Sequence, residues 1–208
     1  MLRCEGLSKS YNGRTIIHRA SLDLGPGAYA LQGPNGIGKS TLLRLLAGAE
    51  PAEAGEIWIG GISLMQAPLM ARRHLSYAPD ESPIYPFMTG RELLEFVARS
   101  KQVPVGPDIL ALADAFALDA HLDKRFSVMS LSTQKKFMLC AAWLGEPRAL
   151  LLDEPSNALD ISARALLARL IKDWSTRSTL LFTTHDVDFV AATGASIITT
   201  NEVLSPRH

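Results

Sequence analysis

The stretch GPNGIGKST, residues 33–41, constrains the fold of this 208-residue chain more than any other feature. It follows the apolar run AYALQG (28–33) and opens the run STLLRLLAG (40–48), so it is predicted to be a loop between a strand and a helix. In that setting the pattern G-x-x-x-x-G-K-[ST] predicts a phosphate-binding loop. Glycines let backbone N–H groups turn inward, and the helix N-terminus adds positive charge. A glycine-rich turn without a ligand is disfavoured because the lysine and the hydroxyl also stand in register.

The residue types of this loop match the groups of a bound phosphate chain and its cation. Lys39 is predicted to reach the β- and γ-phosphates as a point charge, and Thr41 to donate to the α-phosphate. Ser40 supplies a hydroxyl that can bind Mg²⁺. The predicted nucleotide-binding residues of the loop are Gly33, Pro34, Asn35, Gly36, Ile37, Gly38, Lys39, Ser40 and Thr41.

Two further segments place polar residues at the ends of apolar strands. The run LLLDEP puts Asp153 and Glu154 after a buried strand, where parallel sheets bind ligands. Asp153 is predicted to hold Mg²⁺, directly or through water, and Glu154 to polarise an attacking water, with the dication offsetting their repulsion. The run TTHD places His185 at the end of another apolar strand, as a γ-phosphate sensor or, alternatively, as a structural cap.

The order of the apolar runs indicates an α/β chain. The continuous runs at 149–153 and 179–184 predict strands buried on both faces, with a helix over ISARALLARLIKDWS between them. The run GEIWIGG (55–61) alternates like a strand. In the middle of the chain, one helix opens with a capping box of Thr89 and Glu92, and another starts at Pro107. We therefore expect a parallel sheet with a helical subdomain over about 84–144.

Composition disfavours several other classes of protein. Lys plus Arg and Asp plus Glu both number 21, so no net charge attracts nucleic acid, and no nucleic-acid partner is predicted. No apolar run approaches the roughly 20 residues that cross a bilayer. Residues 1–20 lack a signal pattern. Cys4 and Cys140 lie in apolar surroundings and are predicted to be reduced core residues.

The stretch MSLSTQKK (129–136) stands directly before the apolar run FMLCAAWL and predicts a helix N-terminus. Ser130, Ser132 and Thr133 supply more hydroxyls than one helix cap needs. The free N–H groups of such a helix start can bind an anion, which need not be held by the same chain. An ordinary hydroxyl-rich cap is the alternative.

These segments, in this order, resemble the ATP-binding cassette ATPases, and the resemblance runs across essentially the whole chain. It implies a P-loop NTPase core with a mostly parallel sheet, an antiparallel β subdomain and a helical subdomain insert. Residues 1–208 would then form a single nucleotide-binding domain. The implied cofactors are ATP and Mg²⁺, and the implied catalytic residues are Lys39, Glu154 and His185.

The resemblance also assigns residues whose type alone reveals no role. Tyr11 in YNGRTII is similar to the aromatic residue that stacks on adenine, with Ile16 beside it. Ser130 and Ser132 match the family's signature segment, which binds the γ-phosphate of the ATP held by the other subunit. Ser132 stands where glycine is usual.

The metal site implied by the resemblance consists of Ser40, Asp80 and Asp153. Asp80 stands where the family usually has a glutamine that touches Mg²⁺ and water. The run SNALD after LLLDEP is similar to the loop that crosses to the partner subunit, with Asp160 as its acid.

The implied function is that of an ATP-hydrolysing subunit of a membrane transporter. A second nucleotide-binding subunit, identical or different, would pair head to tail around two ATP molecules, and a separate transmembrane permease would hold both subunits at the cytoplasmic face of the cell membrane. Export is favoured by the PIYPFMT run (83–89) and by a chain that ends soon after the His185 strand, which is expected to lack the added regulatory domain of many importer subunits. The alternatives are a soluble regulatory ATPase of the same fold and a weakly hydrolysing subunit paired with an active cassette.

Overall fold

The computed structural model describes residues 1–81 and 84–204. The strands, in chain order, are β1 (Leu2–Tyr11), β2 (Arg14–Leu24), β3 (Gly27–Gln32), β4 (Ala54–Ile59), β5 (Ile62–Ser63), β6 (Leu75–Ala78), β7 (Ala149–Leu152), β8 (Thr179–Thr183) and β9 (Ser196–Thr199). The helices are α1 (Lys39–Leu46), α2 (Pro68–Arg73), α3 (Gly90–Lys101), α4 (Pro107–Ala115), α5 (Leu131–Trp143), α6 (Ile161–Trp174), α7 (Val187–Thr193) and α8 (Thr200–Leu204). The strands predicted at 28–33, 55–61, 149–153 and 179–184 are confirmed as β3, β4, β7 and β8, with small shifts at their ends.

The strands form two sheets of different kinds. The larger sheet has the order β6-β7-β8-β3-β9, and its described pairings are all parallel. The smaller sheet has the order β2-β1-β4-β5 and is antiparallel. Its β1–β2 hairpin turns at Asn12 and Gly13, whose φ angles of 48° and 78° are the positive values that a two-residue hairpin loop favours.

The central strands β7 and β8 of the parallel sheet are buried on both faces, as their apolar runs predict. Along β7, Leu150 and Leu152 pack into one hydrophobic cluster, whereas Leu151 packs into the cluster on the opposite face. The first cluster also contains the inner faces of α3, α4, α5 and α6, and the second contains α1 and the antiparallel sheet. Alternate side chains of one strand thus join the sheet to both of its covering layers.

The helix starts follow the capping residues of the sequence. Thr89 and Glu92 form the predicted capping box of α3, and Pro107 is the first residue of α4. Ser130 is the N-cap of α5, and Asp160 is the N-cap of α6. The helices α3, α4 and α5 all lie between β6 and β7, within the segment predicted to be helical.

The strand order determines which loops become neighbours. The strands β7, β8 and β3 are adjacent and parallel, so their carboxyl ends meet at one edge of the sheet. The acid pair follows β7, His185 follows β8, and the phosphate loop follows β3. Three segments that are far apart in sequence therefore converge at this edge, which is where open parallel sheets bind ligands.

One prediction about the rest of the chain is confirmed. Cys4 and Cys140 are free and buried, and burial raises the pKa of both thiols. Across residues 1–81 and 84–204, no helix is both long enough and apolar enough to cross a bilayer. Ser82 and Pro83, which belong to the segment predicted to link the core to the helical insert, lie outside the described residues, as do residues 205–208.

Candidate nucleotide-binding site

The phosphate loop leaves β3 and turns into α1 in the predicted strand–loop–helix order. Gly38 is the N-cap of α1 and has a φ of 116°, which favours glycine. A β-carbon there would lie 2.9 Å from Ile16 Cγ2 and 3.1 Å from Ile17 Cδ1. The β2 strand thus packs so closely on the loop that a side chain at position 38 would push the two apart.

Lys39 lies under the loop, and only 7% of it is exposed. Its Nζ donates to the carbonyl oxygens of Gly33 (2.8 Å) and Pro34 (3.1 Å), and it lies 3.4 Å from Nε2 of His185. These contacts hold the ammonium between the loop and the end of β8. The positive charge is therefore held beside the phosphate loop.

Thr183 organises the acid pair. Its hydroxyl donates to Oδ1 of Asp153 (2.6 Å) and accepts from the backbone N–H of Glu154 (2.8 Å), and the Asp153 side chain is buried. The backbone N–H of Asp153 donates to the carbonyl of Ala78 (2.8 Å). The end of β7 is thus anchored to both neighbouring strands.

Glu154 leaves the strand in an unusual conformation, with a φ of 43° that residues with a β-carbon rarely adopt. Its Oε1 lies 3.4 Å from Nε2 of His185. Burial raises the pKa of the Glu154 carboxyl, and the charges of Asp153 and Asp80 add to the rise, whereas His185 and Lys39 oppose it. A carboxyl held in this way is suited to accept a proton or orient a water.

Most of the predicted nucleotide-binding residues line one cavity of about 380 Å³. This cavity gathers side chains and backbone from β1, β2, the phosphate loop and the ends of β7 and β8, namely Tyr11, Ile16, Asn35, Gly36, Gly38, Lys39, Ser40, Thr41, Glu154 and His185. Gly33, Pro34 and Ile37 are not among its lining residues. The carbonyl oxygens of Gly33 and Pro34 face Lys39 instead, and Ile37 is 40% exposed.

Tyr11 is held by a partner that the sequence did not reveal. Its hydroxyl donates to Oε1 of Glu50 (2.5 Å), and Glu50 also pairs with Arg44 of α1 (3.2 Å) and with Lys9 (3.2 Å). The Lys9 ammonium lies 5.3 Å from the centre of the Tyr11 ring. These contacts fix the ring at the mouth of the cavity, with 37% of the residue exposed.

The three predicted metal ligands, Ser40, Asp80 and Asp153, line an adjacent cavity of about 570 Å³. Hydroxyl and carboxylate oxygens are the donors that Mg²⁺ prefers, so this set fits the predicted cation. Oδ1 of Asp80 accepts from Nζ of Lys135 and from Nδ2 of Asn157, both at 3.4 Å. Asp80 therefore faces a protein cation as well as the cavity.

Lys135 is a buried cation that the sequence did not single out. Burial lowers the pKa of its ammonium, and Asp80, Asp153 and Glu154 oppose that shift. Lysine within a helical run resembles many surface lysines, so composition offered no signal. Thr183 was equally hidden, because threonine is a common strand residue.

Ser130 and Ser132 do not line either cavity. The Ser130 hydroxyl accepts from the backbone N–H of Thr133 (3.2 Å) and caps α5. The neighbouring Leu131 is 75% exposed. Within the described residues, the structure therefore does not bring the signature serines to the cavity that gathers Lys39 and Glu154.

The fold and the phosphate loop together define the class. The larger sheet is parallel, and its first βα turn is a glycine-rich loop with an internal lysine. Together with the antiparallel sheet and the group of helices, it forms a P-loop NTPase core of the ATP-binding cassette type.

Comparison with known proteins identifies the family. A family model described as ABC transporter matches residues 17–157, which is more than half of the chain. This chain therefore belongs to the ABC transporter family, as the sequence resemblance implied.

Two curated relatives illustrate the similarity in sequence. The spermidine/putrescine import ATP-binding protein PotA of Vibrio cholerae is 30% identical over 192 residues, which are 89% of this chain and 51% of that protein. The sn-glycerol-3-phosphate import ATP-binding protein UgpC of Paracoccus denitrificans is 32% identical over 184 residues, 86% of this chain and 52% of that protein. The chain spans about half the length of the curated relatives it matches.

Solved structures agree with the fold. A structure titled as the ATP binding subunit of an ABC transporter has a TM-score of 0.85 and 25% identity, covering 96% of this chain and 85% of its own. The cassette MJ0796, solved as a dimer in a post-hydrolysis state with ADP and Pi, has a TM-score of 0.80 and 18% identity, covering 96% of this chain and 94% of its own. At that identity the second likeness supports the fold alone.

Proposed function

We propose that this chain is an ATP-hydrolysing subunit that drives a membrane ABC transporter through ATP-dependent pairing of two nucleotide-binding subunits. The observation that carries the proposal is the meeting of Lys39, Glu154 and His185 in one cavity beside the phosphate loop. A nucleotide-binding protein without catalysis would not need a half-buried carboxyl with a raised pKa at this point.

In this proposal each residue has its own step. The loop N–H groups and Lys39 bind the β- and γ-phosphates, and Tyr11 stacks on the adenine ring. Glu154 orients a water for in-line attack on the γ-phosphorus, while His185 hydrogen-bonds the γ-phosphate and holds Glu154 in place. Catalysis of this kind depends on positioning and on charge stabilisation more than on covalent chemistry.

Ser40 and Asp153 would hold Mg²⁺, with Asp80 at the same cavity. The cation, when bound, offsets the negative charge of the phosphates and of the acid pair. Thr183 keeps Asp153 in one orientation through its short hydrogen bond, so the carboxylate faces the cavity without reorganisation.

The proposed assembly needs a second subunit and a membrane partner. Ser130 and Ser132 lie apart from the chain's own cavity, which supports a role toward nucleotide on another subunit. A separate permease would place the pair at the cytoplasmic face of the membrane. In this proposal residues 1–208 act as one nucleotide-binding domain, with the helical insert contacting the permease.

Transport direction is the finer part of the proposal. Export was predicted from the PIYPFMT segment, of which Pro83 lies outside the described residues. The curated relatives PotA and UgpC are named import proteins, which does not support that prediction. Vesicles with a co-purified permease, assayed for ATP-driven cargo efflux and uptake, decide between the two directions.

Replacing Glu154 tests the hydrolytic role. Glu154→Gln should keep ATP affinity, lose about 10²–10⁴-fold in turnover and accumulate an ATP-bound dimer in size-exclusion runs, because general-base help is typically worth that much. Lys39→Ala should instead lose ATP binding in titration calorimetry. Glu146→Gln, which changes a carboxylate that is 78% exposed, is the matched control and should behave like the wild type.

Two outcomes would contradict the proposal. Near-native hydrolysis by Glu154→Gln would mean that another group orients the water. If the wild-type chain binds ATP but turns over no faster than Lys39→Ala, even after addition of candidate partner cassettes, the subunit is not hydrolytic, and the weakly hydrolysing alternative holds.

A further inference from the structure

Lys135 lies one turn into α5 with its side chain only 4% exposed. A buried ammonium needs acceptors for its protons. Its Nζ donates to the carbonyl oxygens of Pro79 (3.1 Å), Asp80 (3.2 Å) and Asp153 (3.2 Å), and to Oδ1 of Asp80 (3.4 Å). One side chain therefore connects a helix to the carboxyl ends of two neighbouring strands, β6 and β7.

The peptide between Asp153 and Glu154 is held at both ends. Its carbonyl oxygen accepts from Lys135, and its N–H donates to the Thr183 hydroxyl at 2.8 Å. Glu154 itself has a φ of 43°, a conformation that surrounding contacts must maintain. Lys135 and Thr183 together therefore fix the direction in which the Glu154 side chain leaves the strand.

Charge gives Lys135 a second task. Asp80, Asp153 and Glu154 lie at adjacent strand ends, and like charges placed together repel one another. The Lys135 ammonium lies 3.4 Å from the Asp80 carboxylate. The ammonium therefore compensates the charge of Asp80, which stands where the ATP-binding cassette ATPases usually have glutamine.

We propose that Lys135 is a positioning residue for hydrolysis, which fixes the peptide that directs Glu154 and neutralises Asp80. The inference rests on the proposed function. Lys135 does not line the cavities that contain the predicted ligand-binding residues. Its loss should therefore lower kcat and leave the affinity for ATP unchanged.

A double-mutant cycle tests both tasks. Lys135→Gln should lower kcat about 100-fold with the Kd for ATP within about threefold, because the Asp80 carboxylate loses its cation and the 153–154 peptide loses an anchor. Asp80→Asn alone should lower kcat by about threefold to tenfold, because asparagine keeps an oxygen that can bind Mg²⁺ but removes the charge of one predicted ligand, while the carbonyl contacts of Lys135 remain. The kcat of the double variant should be at least about tenfold higher than that of Lys135→Gln, because the uncompensated charge of Asp80 is removed. The recovery should be incomplete, because the 153–154 peptide still lacks its anchor.

Lys101→Gln is the matched control. Lys101 is also a buried lysine that donates to Ser76 Oγ and to the carbonyl of Leu144, and none of its described hydrogen bonds is to a carboxylate. Adding Asp80→Asn to Lys101→Gln should therefore recover no turnover. Urea unfolding of the same variants gives a readout that needs no activity. The unfolding constant of the Lys135→Gln and Asp80→Asn double variant should differ about tenfold from the value expected if the two single effects were independent.

Three results would overturn the inference: no recovery in the double variant, equal recovery in the Lys101 control, or additive unfolding constants. If the wild-type chain itself does not hydrolyse ATP, the proposed function fails. The unfolding cycle then still decides whether Lys135 and Asp80 form a pair, so the two failures are distinguishable.

Discussion

Thr183→Val removes the hydroxyl that joins Asp153 and Glu154 and leaves the shape of the side chain almost unchanged. Thr183 is fully buried in β8, and valine keeps both its shape and its preference for strands. The change leaves Oδ1 of Asp153 without its 2.6 Å donor and the N–H of Glu154 without its 2.8 Å acceptor. Asp153 is buried and Glu154 is partly buried.

The expected cost follows from those two contacts. A hydrogen bond to a charged group contributes about 1.5–3 kcal/mol, and a buried N–H left without a partner costs about 1–3 kcal/mol. Together the loss should be roughly 3–5 kcal/mol, a large part of the ~5–15 kcal/mol that stabilises a typical domain. Turnover per folded molecule should fall at least about tenfold, equivalent to 1.4 kcal/mol, because Asp153 and Glu154 lose their shared orientation.

Thr179→Val is the control for this measurement. Thr179 lies at the other end of the same strand, is equally buried, and donates to the neutral carbonyl of Gly25 at 2.8 Å. Its loss should cost only about 1 kcal/mol and leave turnover unchanged. Urea unfolding and a phosphate-release assay measure both effects. Equal unfolding free energies for the two variants, with turnover intact in Thr183→Val, would show that the hydroxyl does not organise the acid pair.

Two more predictions concern α3 and α5. Burial lowers the pKa of Lys101 to about 8, from 10.5 in the unfolded chain, so the unfolded state binds the extra proton between these values and stability rises with pH there. The unfolding free energy of the wild type relative to Lys101→Gln should therefore increase by about 2 kcal/mol from pH 7.5 to 9.5, and a pH-independent difference would contradict the burial of a charged ammonium. Ser132→Phe should leave ATP binding to the monomer intact and abolish ATP-driven pairing in size-exclusion runs, because a bulky side chain would block the start of α5. Undiminished pairing would show that the start of α5 is an ordinary helix cap.

The parts of this molecule that sequence predicted are those set by local chemistry. The phosphate loop needs glycine at a φ of 116° beside a packed isoleucine, and only a few residue types satisfy that demand. The strands β7 and β8 are continuous apolar runs because both faces are buried. The cap at Ser130 and the capping box at Thr89 are likewise contacts within one turn. Each of these signals lies within about ten residues of chain.

The contacts that sequence did not predict join segments distant in the chain. Thr183 meets Asp153 across 30 residues, Lys135 meets the carbonyl of Pro79 across 56, and Tyr11 meets Glu50 across 39. Such contacts depend on the strand order, and a threonine, a lysine or a glutamate carries no mark of the neighbour it will meet. The register of β6, β7 and β8 brings Thr183 and the Pro79 carbonyl to the acid pair.

The helix α5 connects the two halves of the proposed mechanism. Its first turn carries Ser130 and Ser132, and Lys135, about one turn further along, contacts the peptide that directs Glu154. One helical turn moves as a unit, because its backbone hydrogen bonds would otherwise break. If the start of α5 meets nucleotide on a second subunit, as proposed, a shift of that start is transmitted to the Lys135 ammonium and from there to the acid pair. Pairing and hydrolysis would then be coupled through a single side chain. A variant at Lys135 therefore separates pairing from hydrolysis, which a variant at Ser130 or Ser132 does not do.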